Sequence, residues 1–157
     1  MQYFIDRYFH LLQRLLTGLL VLLLLPVLIQ VLSRFIPFIP RYIWTEEIAR
    51  FAFIWIILIG SSVAVRDGSH FHVDVLPKLS RKQERLLHLL LLMFMLLLAI
   101  VFMVGGFQFA AFGATQSSEI SALPMLTIYI AWPLAGISWS VFLIEKVYRH
   151  FSEQNTP

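Results

Sequence analysis

Apolar residues run along this chain in four long blocks, and the polar residues are gathered between them. The first block, 15–33, holds no charged residue and is dominated by leucine. The second, 46–65, carries charge only in its opening turns, at Glu46, Glu47 and Arg50. The third, 87–114, is uncharged throughout, and the fourth, 124–144, stops just before Glu145 and Lys146. Crossing a hydrocarbon layer of ~30 Å takes about 20 helical residues, so each block is long enough to span a bilayer. The pattern predicts an all-α membrane protein, a bundle of four transmembrane helices forming a single domain over 1–157. Thr45 is placed to cap the second helix, and Pro124 suits the first turn of the fourth. A kink is expected at Pro26. The first block is longer than a secretory h-region, and only Ser33-Arg34-Phe35-Ile36-Pro37 follows it, with no small-residue cleavage site, so it reads as a retained span.

Two shorter segments are amphipathic. In residues 3–14, Asp6, Arg7, His10, Gln13 and Arg14 share one helical face, and Tyr3, Phe4, Tyr8, Phe9 and Leu12 occupy much of the other. After Pro77, Lys78, Arg81, Lys82 and Arg85 form a basic stripe at helical spacing. Both are expected to lie along the membrane surface, the second facing anionic headgroups; a solvated turn leading into the third span is its alternative. At the other side Phe35, Phe38, Tyr42 and Trp44 flank Pro37 and Pro40, an aromatic belt at headgroup level.

Composition agrees. The chain is 59% hydrophobic and 13% charged, about half the charge of a soluble domain. Its net charge of +3 is explained by sorting of basic residues across the membrane, and no basic, aromatic-interleaved patch points to nucleic acid. Nine of the twelve lysines and arginines fall in the N-terminal segment, the loop after the second span and the tail; Arg34, Arg41 and Arg50 fall opposite. That bias predicts both termini in the cytoplasm.

The spans are poor in chemistry. Membrane proteins that move ions or charged solutes place ionisable groups at mid-membrane, and here the central parts of all four blocks contain no Asp, Glu, Lys or Arg. There is no cysteine, and no nucleophile elbow, phosphate loop or zinc-protease motif. His70, His72 and His88 make a poor metal set without nearby cysteine or buried carboxylate, and paired haem ligands on facing spans are missing. Neither enzyme activity nor a cofactor is expected. Glu46 and Glu47 stand at i,i+4 and i,i+3 from Arg50, so these charges can satisfy one another or leave a carboxylate free for a partner. Gly60, Ala64, Gly106, Ala110, Gly113, Ala114, Ala135, Gly136 and Ser140 allow close helix approach, within the bundle or against a larger membrane protein.

The run Trp44-Thr45-Glu46-Glu47-Ile48-Ala49-Arg50, followed by Trp55, Gly60, Arg66 and Asp67-Gly68-Ser69-His70-Phe71-His72-Val73-Asp74, resembles the small membrane subunit of TRAP (tripartite ATP-independent periplasmic) transporters. Pro124, Tyr129, Pro133 and Gly136 are further landmarks. The resemblance implies an auxiliary subunit of the bacterial inner membrane that braces a large, many-helix membrane subunit. A periplasmic binding protein would deliver an organic anion (a dicarboxylate, sugar acid or sialic acid), and a sodium gradient would drive uptake. It implies interface or structural roles for Trp44, Glu46, Glu47, Arg50, Trp55, Gly60, Arg66, His70, Asp74, Pro124 and Pro133. Arg66, His70 and Asp74 would order the cytoplasmic turn. The alternatives are the small subunit of a tripartite tricarboxylate transporter, an autonomous channel or exporter, and a small membrane enzyme or cytochrome.

Overall fold

A computed structural model of the chain describes residues 2–38, 40, 42–67 and 81–154. Four long helices carry the four apolar blocks: α1 (Gln2–Phe35), α2 (Ile43–Asp67), α3 (Arg81–Gly113) and α5 (Ala131–Gln154), with a single turn, α4 (Leu126–Tyr129), leading into α5. Each is long and apolar enough to cross a membrane when α4 and α5 are taken together. The four-helix all-α bundle expected from the sequence is therefore present.

The helices stand in a row. α1 packs along α2, α2 against α5, and α5 along α3. The two central members contribute most of the interior, including Leu58, Ile59, Ser62, Ala135, Ser138 and Phe142. The flanking α1 and α3 leave most of their apolar side chains exposed, Leu24, Leu25, Leu97 and Val101 among them. A surface of that kind faces lipid or another membrane protein rather than water.

Residues 3–14 do not form a separate surface helix. They run on into the first span as one 34-residue helix, about 51 Å long at 1.5 Å per residue. No glycine or proline precedes Thr17 to break it, and the apolar face of this segment has a partner within the bundle, because Phe9 and Leu12 are buried. Arg81, Lys82 and Arg85 likewise belong to the opening turns of α3, which makes them the lead-in to the third span; Lys78 lies outside the described residues.

Two helix starts also differ from expectation. α2 begins at Ile43, so Thr45 sits inside its first turn. The Thr45 hydroxyl donates to the Tyr42 carbonyl at 2.6 Å and accepts from the Gln30 amide at 3.3 Å, so it ties α2 to α1 instead of capping α2. Pro124 precedes the fourth span by two residues; it pairs with Ser117 in an isolated bridge, and its carbonyl accepts from the Thr127 backbone N–H at 3.0 Å. Between α4 and α5 the ladder skips at Pro133, which has no N–H for the Tyr129 carbonyl. Bonds from Ile130 to Leu126 and from Leu134 to Ile130 carry the helix across the gap.

Candidate functional site

Three arrangements of side chains organise the bundle. The first lies at the end that carries the chain termini. Arg66, in the last turn of α2, reaches both neighbouring helices: its guanidinium donates to Asp6 of α1 and to Glu145 of α5, the latter at 3.3 and 3.4 Å. The guanidinium carbon lies 4.5 Å from the centre of the Phe9 ring and 5.6 Å from that of Phe142. Arg66 and Glu145 are largely covered, with side-chain exposures of 14% and 7%. One cation between two carboxylates and two aromatic faces ties α1, α2 and α5 together at one point. A second tie lies close by, where the Tyr8 phenol donates to the Ser138 hydroxyl at 2.6 Å and Ser138 donates to the Leu134 carbonyl at 2.7 Å.

The second arrangement is a glycine seam between α3 and the α4–α5 helix. A methyl group on Gly106 would stand 2.6 Å from the Pro133 nitrogen, and one on Gly136 would stand 2.6 Å from the Met103 nitrogen. Gly113 is filled in the same way by the Tyr129 ring. Phe109 and Tyr129 stack with centroids 4.0 Å apart, and Phe102 lies 4.7 Å from Trp139. These glycines bring backbone against backbone, which is how helices gain contact in lipid. Within this bundle, then, Gly106, Gly113 and Gly136 knit the protein's own helices together, and Ala110 and Ala135 are buried, whereas Ala114 is exposed. Gly60 is different: its nearest neighbour would be a Leu16 methyl at 3.7 Å, an ordinary contact.

The third arrangement is at the opposite end, around the start of α2. Glu46 and Arg50 pair at 3.4 Å, both well exposed, and a pair of that kind contributes only a few tenths of a kcal/mol. Glu47 turns inward, is 5% exposed, and has one carboxylate oxygen, Oε2, with no hydrogen-bond partner. Arg50 thus answers Glu46 and not Glu47. A groove of about 480 Å³ opens there between α2 and the loop connecting α3 to α4. Trp55 closes its side of that junction by donating its indole N–H to the Thr127 carbonyl at 3.0 Å. Trp44 is partly exposed beside Tyr42, with ring centroids 5.8 Å apart.

The residues singled out by the sequence are therefore not one site. Trp44, Glu46, Glu47, Arg50, Trp55 and Pro124 gather at the loop end, Arg66 at the terminal end, and Pro133 in the glycine seam. His70 and Asp74 lie outside the described residues. Sequence reasoning did not find the Arg66 partners, because Asp6 and Glu145 are 60 and 79 positions away. The signal available in the sequence is an acid just before the first apolar block and another just after the fourth, which the topology brings to the same side as Arg66. Among the described residues no ionisable side chain sits midway along a span; the charged groups lie in the two end clusters or on the outer surface.

Comparison with known proteins gives a consistent result. A family model described as "Tripartite ATP-independent periplasmic transporters, DctQ component" matches residues 6–153. A putative TRAP transporter small permease protein of Haemophilus influenzae is 32% identical over 104 residues, covering 66% of this chain and 65% of that protein. A sialic acid TRAP transporter permease protein, SiaT, of Haemophilus influenzae is 32% identical over 133 residues, covering 78% of this chain but 21% of that longer protein. A sialic acid TRAP transporter small permease protein, SiaQ, of Vibrio cholerae is 26% identical over 115 residues, covering 68% of this chain and 62% of that protein. The chain thus aligns with less than two thirds of the length of each of these relatives.

Proposed function

The chain belongs to the DctQ component family of tripartite ATP-independent periplasmic transporters, and from that premise we propose that it braces a large membrane subunit without forming a solute path of its own. It is the small permease subunit of such a system, a transporter component with four spans in the inner membrane. The observation that carries the bracing role is the distribution of charge. Each span's central stretch lacks Asp, Glu, Lys and Arg, and the buried ionic groups at the terminal end are used to tie helix to helix. A bundle built this way offers an anion no charged group to bind at mid-membrane.

The partner is a many-helix membrane subunit that seats on the exposed apolar faces of α1 or α3. Support comes from the SiaT permease of Haemophilus influenzae, in which a segment like this chain makes up about a fifth of a much longer protein. The remaining partner is a periplasmic binding protein. The substrate is an organic anion of the dicarboxylate, sugar acid or sialic acid type, taken up with sodium; two of the relatives carry sialic acid in their names. Both termini lie in the cytoplasm, as the nine-to-three distribution of lysine and arginine supports, and the whole chain acts as one membrane domain. Trp44 then anchors the periplasmic end of α2, Glu46 and Arg50 stiffen it, and Glu47 is available for contact. Arg66 secures α1, α2 and α5 to one another on the cytoplasmic side.

Reconstitution tests this reading. Liposomes containing this chain alone should take up no labelled organic anion. Liposomes containing it with the large subunit, and supplied with binding protein and an inward sodium gradient, should accumulate it. Flux through the chain alone would replace the bracing role with an autonomous channel.

A further inference from the structure

Glu47 is a buried charge at the loop end with no ion pair among the described residues. Its neighbours Glu46 and Arg50 answer each other at 3.4 Å on the exposed face of α2. Glu47 faces inward, is 95% covered, and keeps Oε2 without a partner. A buried carboxylate oxygen with nothing to accept from is among the least favourable features a fold can retain, and it is usually answered by a cation or donor from elsewhere. The groove that Glu47 lines is also lined by the apolar Phe51 and Ile54, by the polar Gln116 and Ser118, and by two further charges, Arg50 and Glu119. Arg50 is taken up by Glu46, and Glu119 has no ion pair among the described residues, so the charge left unanswered in the lining is negative.

The shape suits a long basic side chain. An aliphatic stem would lie on Phe51 and Ile54, and its charged head would reach Glu47. The direction of entry is set by the loop: residues 114–125 form turns and a short bridged hairpin, closed by bonds from Ser118 to Leu123 and from Met125 to Gln116. Open backbone of that kind does not lie against hydrocarbon, so the groove opens to water. Its occupant therefore comes from the aqueous side and not from the lipid plane.

We infer that this groove is a socket for a lysine or arginine side chain of the water-soluble binding protein, with Glu47 as its counter-charge. The assignment rests on the small-subunit reading above and adds to it the docking residue and its chemistry.

The test uses the complete transporter in native membranes, with its binding protein added as purified soluble protein. Glu47→Gln keeps the shape of the side chain and removes its charge. The affinity of the membranes for the binding protein should fall about 30-fold, the loss typical of removing one member of a buried charge pair, while the large subunit co-purifies as before. A photo-crosslinking residue at Ile120, a half-exposed lining residue of the groove, should form an adduct with the binding protein in an otherwise native chain. That second measurement decides the matter if Glu47→Gln does not accumulate. Unchanged affinity in Glu47→Gln, loss of the large subunit from it, or an adduct with the large subunit alone would each overturn the assignment. If the native chain brings down no large subunit at all, the functional reading fails first, and the socket falls with it.

Discussion

Gly105 and Gly106 are neighbours on α3 but meet different surroundings, and the contrast isolates the worth of the close helix approach. A methyl group on Gly105 would meet nothing within 4 Å, whereas on Gly106 it would stand 2.6 Å from the Pro133 nitrogen and 2.7 Å from the Pro133 Cδ. Ordinary contact begins at 3.4 Å, so moving from 2.6 to 3.4 Å requires the two helices to part by roughly 0.8 Å, a gap that forfeits a quarter to a half of each dispersion contact along the seam. Pro133 cannot yield, because it is fully buried and part of the backbone of α5. Overpacking of this kind costs about 1–3 kcal/mol. Both alanines share the same gain in helix propensity over glycine, about 1 kcal/mol in water, and it cancels in the difference. Gly106→Ala should therefore be about 1–3 kcal/mol less stable than Gly105→Ala. Reversible unfolding of the purified chain in mixed micelles, followed by circular dichroism as the denaturing detergent fraction rises, measures that difference. Equal stability of the two variants would refute the seam as described.

Other consequences are as direct. Arg66→Met removes the cation between Asp6 and Glu145 and should cost about 3 kcal/mol in the same unfolding assay. Adding Glu145→Gln to it should cost clearly less than the two single changes summed, since the groups act as one cluster; simple additivity would contradict the clamp. Ala122 has a left-handed backbone, φ 55°, which disfavours any residue with a Cβ by roughly 1 kcal/mol. Ala122→Gly should leave stability unchanged or raise it by up to about 1 kcal/mol, and a marked loss in thermal unfolding would show that the turn is held by something other than its backbone.

What could be read from the sequence follows from the physics of each feature. The four spans are local statements, set by runs free of charge that hydrocarbon demands, and the helices found there agree with them. The small residues of spans three and four were equally visible, though not which helices they joined. What the sequence hid was long-range pairing and register. Thr45 looks like a cap, yet α2 already begins at Ile43 and the Thr45 hydroxyl accepts from Gln30, 15 positions away. Residues 3–14 look like a surface helix because their polar face is plain to see, yet Phe9 stacks under Arg66, and Asp6 meets the same side chain from 60 positions away. Glu46 and Glu47, at i,i+4 and i,i+3 from Arg50, are both spaced to pair with it. Only the packing of the α3–α4 loop against α2 separates the exposed, paired acid from the buried one.

Whether the chain braces a larger membrane subunit is settled by affinity purification of the tagged native chain from its own membranes in mild detergent, with mass spectrometry of what accompanies it. A large polytopic permease should accompany it in stable association. Recovery of the chain alone as a homo-oligomer under several mild detergents would contradict the bracing role.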